Sequence, residues 1–194
     1  REMRVAENRE ELLLKYAPGG RWAELGVARG DFSATWLSRQ DVKEVWLFDC
    51  WGPYPGADPL DPAVLDEESG QRLYEEVEKR FAEDPRVFLV RGLIEETLPT
   101  FPRGFFDLIY IDATHDEESV RAHLELAFTR LRRGGWLAGH DYDHPGEAWL
   151  PGVKAAVDHF CCSRNLRIGW KTREPYSSFV IVVPWDPRHK GGVM

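Results

Sequence analysis

The chain has 194 residues, 43% hydrophobic and 30% charged, with a formal net charge of -8. This is the size of one globular domain with a full core (roughly 100–200 residues is usual), and the reading is a single soluble domain over residues 1–194. The acidic balance argues against nucleic acid as a partner, because phosphate contacts dominate such binding, and no signal peptide or membrane-length apolar run is visible.

Residues 1–18 read as a leading segment whose helix covers 4–16, with Leu12, Leu13 and Tyr16 as apolar contacts and Pro18-Gly19-Gly20 as its stop. Strand 21–26 and helix 31–39 follow, then strand 44–49. A Pro/Gly/Asp-rich passage, Trp51 to Pro62 within a segment 51–66, is too long for a tight turn and reads as a substrate-side loop. A charged helix over 66–83 places Leu73, Val77 and Phe81 on one stripe. Strands at 87–91 and 106–112 precede a helix near 116–131 with Val120, Leu124 and Ala127 on one face. Gly134-Gly135 breaks it before a strand at 136–139. A helix near 152–162 and a hairpin, 166–170 with 179–183, complete the pattern. Strands alternating with helices predict an α/β, Rossmann-like, doubly wound sheet of seven mostly parallel strands with an antiparallel C-terminal edge hairpin. Cys50, Cys161 and Cys162 make neither a disulfide framework nor a C-x-x-C pair, which predicts a reducing, cytoplasmic setting. The chain starts at Arg1 without a methionine, the pattern of a trimmed sequence.

The chemistry is concentrated in Trp22-Ala-Glu-Leu-Gly-Val-Ala-Arg-Gly-Asp-Phe-Ser-Ala-Thr-Trp36, a strand running into a glycine loop and a helix. Glu24, Gly26 and Gly30 form E-x-G-x-x-x-G, and Asp49 closes the next apolar run. A strand–glycine–helix unit followed by an acid at the next strand end suits an adenosine-containing cofactor whose ribose hydroxyls the acid holds. A dinucleotide fingerprint would need glycines at 28 and 31, which are Ala28 and Asp31. An acid at 31, beside the helix N-terminus, would repel a pyrophosphate. No Gly-Lys-Ser/Thr follows, so a P-loop is excluded. A cofactor without phosphate fits, and Glu24 could reach its cationic amino group. An ordinary strand–turn–helix remains the plain alternative for the loop taken alone.

In open α/β sheets ligands bind beyond the carboxyl ends of the strands. Those ends read Gly26, Asp49, Gly92, Asp112 and His140-Asp141. Asp112, His140 and Asp141 could converge on one divalent cation, with His115 alongside as a base of suitable pKa. The plain alternatives are that His115 caps the following helix and that His144, before Pro145, is a loop residue.

From about residue 20 to 184 the chain resembles class I S-adenosylmethionine-dependent O-methyltransferases. The branch resembled holds small bacterial enzymes related to the metal-dependent sugar O-methyltransferases of macrolide biosynthesis. The likeness rests on Ala23–Ser33, Phe48-Asp-Cys-Trp51, Phe106–His115 with its I-D-x-x-H, Leu131–Tyr142 and Pro151–Val157. It implies that Glu24, Gly26 and Gly30 surround the methionine part of S-adenosylmethionine. Asp49 would hold the ribose, with Trp51, Gly92 and Leu93 near the adenine. Asp112 would lie by the cofactor and serve catalysis as first metal ligand, His140 and Asp141 would be the other ligands, and His115 the general base. The cation implied is magnesium or manganese. Relatives present oxygen at all three ligand positions, and an imidazole at 140 departs from that. Two readings follow: a softer metal, or His140 outside the ligand set and no metal at all. The acceptor implied is a hydroxyl of a sugar or natural product, with Tyr54 and Trp149 placed to stack on a ring or to pack as a lid or oligomer contact. Transfer to nitrogen or to a macromolecule is disfavoured, because Asp112-Ala-Thr-His115 stands where an Asn/Asp-Pro-Pro-Tyr segment would be. A non-catalytic cofactor-binding module is the remaining reading, and a homo-oligomer is compatible with all of them.

Overall fold

The computed structural model describes residues 2–55, 65–146 and 152–184. In chain order the strands are β1 (Arg4–Ala6), β2 (Gly20–Leu25), β3 (Val42–Asp49), β4 (Val87–Arg91), β5 (Phe106–Ile111), β6 (Leu131–Gly139), β7 (Trp170–Thr172) and β8 (Phe179–Val182). The helices are α1 (Arg9–Tyr16), α2 (Asp31–Trp36), α3 (Glu67–Phe81), α4 (Ile94–Thr97), α5 (Glu117–Arg130) and α6 (Val153–Ser163). They build one sheet in the order β1-β7-β8-β6-β5-β2-β3-β4. Only β8 runs antiparallel to its neighbours, β6 and β7. The Rossmann-like architecture with an antiparallel C-terminal hairpin is therefore present.

Two details correct the sequence reading. Among the described residues the sheet has eight strands, because residues 4–6 extend along β7 in parallel register instead of beginning a helix. Asn8 explains the shift: its side chain accepts the Glu11 amide at 2.8 Å, so it caps α1 and the helix cannot start earlier. The C-terminal hairpin is thus covered by β1, which forms the sheet edge. Likewise, Gly134-Gly135 does not separate helix from strand. Strand β6 already starts at Leu131, opposite Phe106, and the register then jumps to Leu108 with Trp136, so the glycines lie in an irregularity within the strand.

Apolar residues fall into two clusters, one on each face of the sheet. Helices α1, α2 and α3 cover one face through Leu12, Leu13, Phe32, Trp36, Val77 and Phe81. Helices α4, α5 and α6 cover the other through Ile94, Val120, Leu124, Val153 and Phe160. Alternation along β2 and β5 assigns their side chains: Trp22 and Tyr110 pack with the first cluster, Ala23 and Ile111 with the second. Glu24, two residues from Trp22, therefore shares the α1–α3 face.

Backbone bonds carry the ladder one residue past the strand ends. The amides of Gly26, Gly92, Asp112 and His140 donate to Phe48, Asp49, Leu25 and Ile111 carbonyls at 2.8–3.0 Å. These residues consequently stand side by side on one edge. Gly26 is needed there, since its φ is 87° and a Cβ would meet the Asp112 carbonyl oxygen at 2.2 Å. Gly26→Ala should cost about 1–3 kcal/mol in backbone strain alone, and more from the collision. Urea unfolding measures it, and a variant as stable as the wild type would show that loop and β5 are not held in contact.

Candidate active site

The glycine loop is organised by Asp49. Its Oδ2 accepts the amides of Val27 and Ala28 at 2.8 and 2.9 Å, and its Oδ1 accepts the amide of Trp51 at 2.8 Å. Trp51 Nε1 donates in turn to the Ala28 carbonyl at 3.0 Å. The Trp51 ring is covered (1% exposed) and lies against Tyr74. Leu93, following Gly92, precedes the first turn of α4, and its carbonyl accepts the Thr97 hydroxyl at 2.8 Å. The carboxylate read from sequence as a ribose holder thus also ties together the loops after β2 and β3.

Glu24 is buried, and its Oε2 has no hydrogen-bond partner. Burial, with repulsion from Asp112 and Asp49, outweighs help from Ser33 and Arg9 and pushes its carboxyl up to about 8. A buried, unsatisfied acceptor beside a glycine loop is a place for a cation. Arg9, the first residue of α1, donates from Nη1 to Asp112 Oδ2 at 3.1 Å. Sequence reasoning missed Arg9. The available signal was a cation at the start of a helix, where the macrodipole disfavours it.

Asp112 and the His140-Asp141 pair end adjacent strands. His115 Nε2 lies 3.3 Å from Asp141 Oδ2, and His140 Nδ1 lies 3.1 Å from Asp141 Oδ1 and 3.8 Å from Asp112 Oδ1. Burial would raise the Asp141 carboxyl, but its bonds from His115 and His140 outweigh that and hold it well below the usual carboxylate range. Burial raises Asp112, with Asp141 adding to it and His140 and Arg9 opposing. His140 is lowered by burial, yet Asp141 and Asp112 together leave it above its ordinary value. The cap of α5 is Asp116, whose side chain accepts the Ser119 amide at 2.8 Å, so His115 is not the capping residue.

Among the described residues, the donors lying within 4.8 Å of one another are on Asp112, His115 and Asp141. The sequence reading grouped Asp112 and Asp141 with His140. His140 lies beside both carboxylates as well, nearer to Asp141 than to Asp112, and close to the Tyr176 ring. A small cavity of about 10 Å³ lies here, lined by Asp112, Thr114, His115, His140 and Asp141 and closed by apolar side chains such as Val120 and Phe179. Tyr54, read from sequence as a stacking residue, donates its hydroxyl to Glu95 Oε1 at 3.2 Å, and Glu95 also pairs with buried His123 at 2.9 Å. His144 accepts the Gly146 amide through Nδ1, as a loop residue does. Trp149 and most of the 51–66 loop lie outside the described residues.

No helix among the described residues is long and apolar enough to cross a membrane. No curated protein matches the sequence. In fold the chain is similar to a candidate O-methyltransferase from Klebsiella pneumoniae (TM-score 0.61, 20% identity, 91% of this chain and 78% of that one). It is also similar to the O-methyltransferase NovP (TM-score 0.57, 20% identity, 91% and 76%). A third likeness is to fibrillarin from Aeropyrum pernix with natively bound S-adenosyl-L-methionine (TM-score 0.54, 16% identity, 86% and 67%). A family model described as a methyltransferase domain matches residues 23–142, which span the glycine loop, Asp49, Asp112, His115 and His140-Asp141. The chain therefore belongs to the methyltransferase-domain family, as a class I S-adenosylmethionine-dependent methyltransferase fold.

Proposed function

We propose that this protein transfers a methyl group from S-adenosylmethionine to a hydroxyl of a small molecule, with His115 as the general base. The observation that carries the reading is the His115–Asp141 pair beside Asp112, whose backbone lies against Gly26 of the glycine loop. Fold neighbours that are O-methyltransferases, and one solved with S-adenosyl-L-methionine, support the cofactor and the acceptor class.

The residues fit the cofactor. Glu24 Oε2, buried and unpartnered, suits an ammonium group, and Gly26 lets the loop lie directly on the backbone at Asp112. Asp49 keeps that loop in shape and, having about four lone-pair sites against three bonds in the structure, retains capacity for a ribose hydroxyl. Gly92 and Leu93 bound the adenine side, with the covered Trp51 ring backing the loop. Bound S-adenosylmethionine supplies a methyl group already activated by a cationic sulfur. The protein then has two tasks: to align the acceptor oxygen and to accept its proton. Alignment lowers the barrier by several kcal/mol, and general-base catalysis contributes about 10²–10⁴-fold. His115 accepts the hydroxyl proton, and Asp141 stabilises the imidazolium that results, the arrangement of a base held by a carboxylate.

The donor group of Asp112, His115 and Asp141 favours a second, metal-assisted reading. Those residues would hold a divalent cation, and its chemistry there would be to lower the pKa of the acceptor hydroxyl. One imidazole among two carboxylates suits manganese, iron or zinc better than magnesium. A methyl-transfer assay with and without chelator separates the two readings, since only the metal-assisted one loses activity on chelation.

His115→Ala should lower turnover at least about tenfold and leave S-adenosylhomocysteine affinity nearly intact. Turnover at the wild-type rate would remove the assignment. Asp49→Ala should weaken S-adenosylhomocysteine binding, and calorimetry showing unchanged affinity would refute its part in the cofactor site. Glu24 yields a pH signature. A carboxyl whose pKa is raised on folding contributes fully below its ordinary 4.5 and loses that contribution as pH rises through about 8. The free wild-type protein should therefore lose stability relative to Glu24→Gln across that window. Urea unfolding near both limits tests this, and a constant difference would mean that Glu24 is ionised throughout.

A further inference from the structure

The amino-acid end of S-adenosylmethionine carries a carboxylate as well as an ammonium, and Glu24 answers only the ammonium. An anion entering the cluster of Glu24, Asp49 and Asp112 would be repelled unless a fixed cation received it. Arg9 stands on the same face of the sheet as Glu24. It opens α1, whose first turn otherwise carries Glu10 and Glu11, the charges that the helix dipole favours there. Helix stability thus gives no reason for an arginine at this position.

Its side chain turns toward the site. Nη1 bonds one Asp112 oxygen at 3.1 Å, and Cζ lies 4.2 Å from the centre of the Phe32 ring. Phe32 rests on Tyr110, centroids 4.8 Å apart, and the Tyr110 hydroxyl pairs with Ser178 Oγ at 2.7 Å. The guanidinium is thereby held by a ring on its face and by a carboxylate at its edge, and the ring beneath it is itself anchored. Of its five N–H donors one goes to Asp112, while Nε faces Glu10 at 3.9 Å and the Tyr110 hydroxyl is a further neighbour, which leaves donors for a ligand. A planar fork of this kind matches the two oxygens of a carboxylate, whereas a lysine would offer a point charge.

We propose that Arg9 receives the α-carboxylate of the methionyl group and makes the site select the amino-acid form of the cofactor over its decarboxylated form. This rests on the S-adenosylmethionine reading above and adds a specificity residue to it. In this role Arg9 and Glu24 face the two ends of a zwitterion, one from α1 and one from β2, and a bound ammonium would draw the Glu24 carboxyl to its ionised form.

The test is calorimetric binding of two thioethers to the full chain: S-adenosylhomocysteine, and its decarboxylated counterpart, which keeps the adenosine and the terminal ammonium. The wild type should prefer S-adenosylhomocysteine by about 10- to 100-fold, the range of a charge-assisted hydrogen-bonded pair. Arg9→Gln should weaken S-adenosylhomocysteine alone and bring the two affinities within about threefold of each other. Arg9→Met, which keeps the apolar stem over Phe32, should do the same and serves if the glutamine variant does not fold. Arg9→Lys should restore part of the preference. Equal weakening of both ligands, or no change in their ratio, overturns the proposal and leaves Arg9 as a brace for Asp112. A wild type that binds neither ligand overturns the cofactor reading itself, a result distinct from an unchanged ratio.

Discussion

Three carboxylates, Glu24, Asp112 and Asp141, are brought to one edge of the sheet by the parallel register of β2, β5 and β6, and their mutual repulsion must be offset. The structure does so in three ways. Asp141 is paired with two imidazoles and stays ionised. Asp112 is met by Arg9 and His140. Glu24, buried and without a full set of partners, is pushed toward the protonated form. The three carboxyl groups thus meet different environments although they lie at or next to neighbouring strand ends. Divergent environments for like groups are what assign them different chemical tasks. On the proposed reading Glu24 would meet a cationic ligand, Asp112 would stand between ligand and acceptor, and Asp141 would be the anion behind the base.

The glycine loop adds rigidity to this charge pattern. Ala28 and Trp51 both adopt positive φ, 49° and 40°, a conformation that costs a non-glycine residue about 1–3 kcal/mol. Asp49 accepts the amides of both, so the cost is offset by the carboxylate that sits between them. A loop already fixed in a binding conformation loses less entropy when a ligand arrives. The same acid at the same strand end therefore has a preorganising role that precedes any contact with a ribose.

The regular parts of the chain were legible because their periodicities are long. The α3 stripe of Leu73, Val77 and Phe81, and the strand Val87–Arg91, lie where the sequence pattern places them. Short or irregular elements were not legible. A three-residue strand such as Arg4–Ala6 has no measurable period, and only the Asn8 cap betrays that the helix starts later. The site was legible in its residue types at strand ends and less so in its pairings. An acid that closes a strand looks the same whether it faces a ligand or a loop amide, which is why the bracing role of Asp49 was invisible. The Arg9–Asp112 pair spans 103 positions, and no local pattern encodes such a contact. The strand-end reading grouped Asp112, His140 and Asp141, and the fold brings His115 to the same carboxylates, a contact that strand-end order does not encode.

His115 has one role at a time. A nitrogen lone pair that binds a cation is no longer able to accept a proton, so general-base and metal-assisted chemistry are mutually exclusive uses of this ring. Asp141 is needed in either case, to stabilise an imidazolium in the first and to neutralise the cation in the second. Arg9 weighs on the balance through Asp112. A guanidinium on one Asp112 oxygen reduces the negative charge offered to a metal, and a ligand carboxylate that shares the guanidinium would return part of that charge. On the proposed reading, occupancy at the amino-acid end of the cofactor and electrostatics at the acceptor end would be coupled through a single carboxyl group, the one at the end of β5.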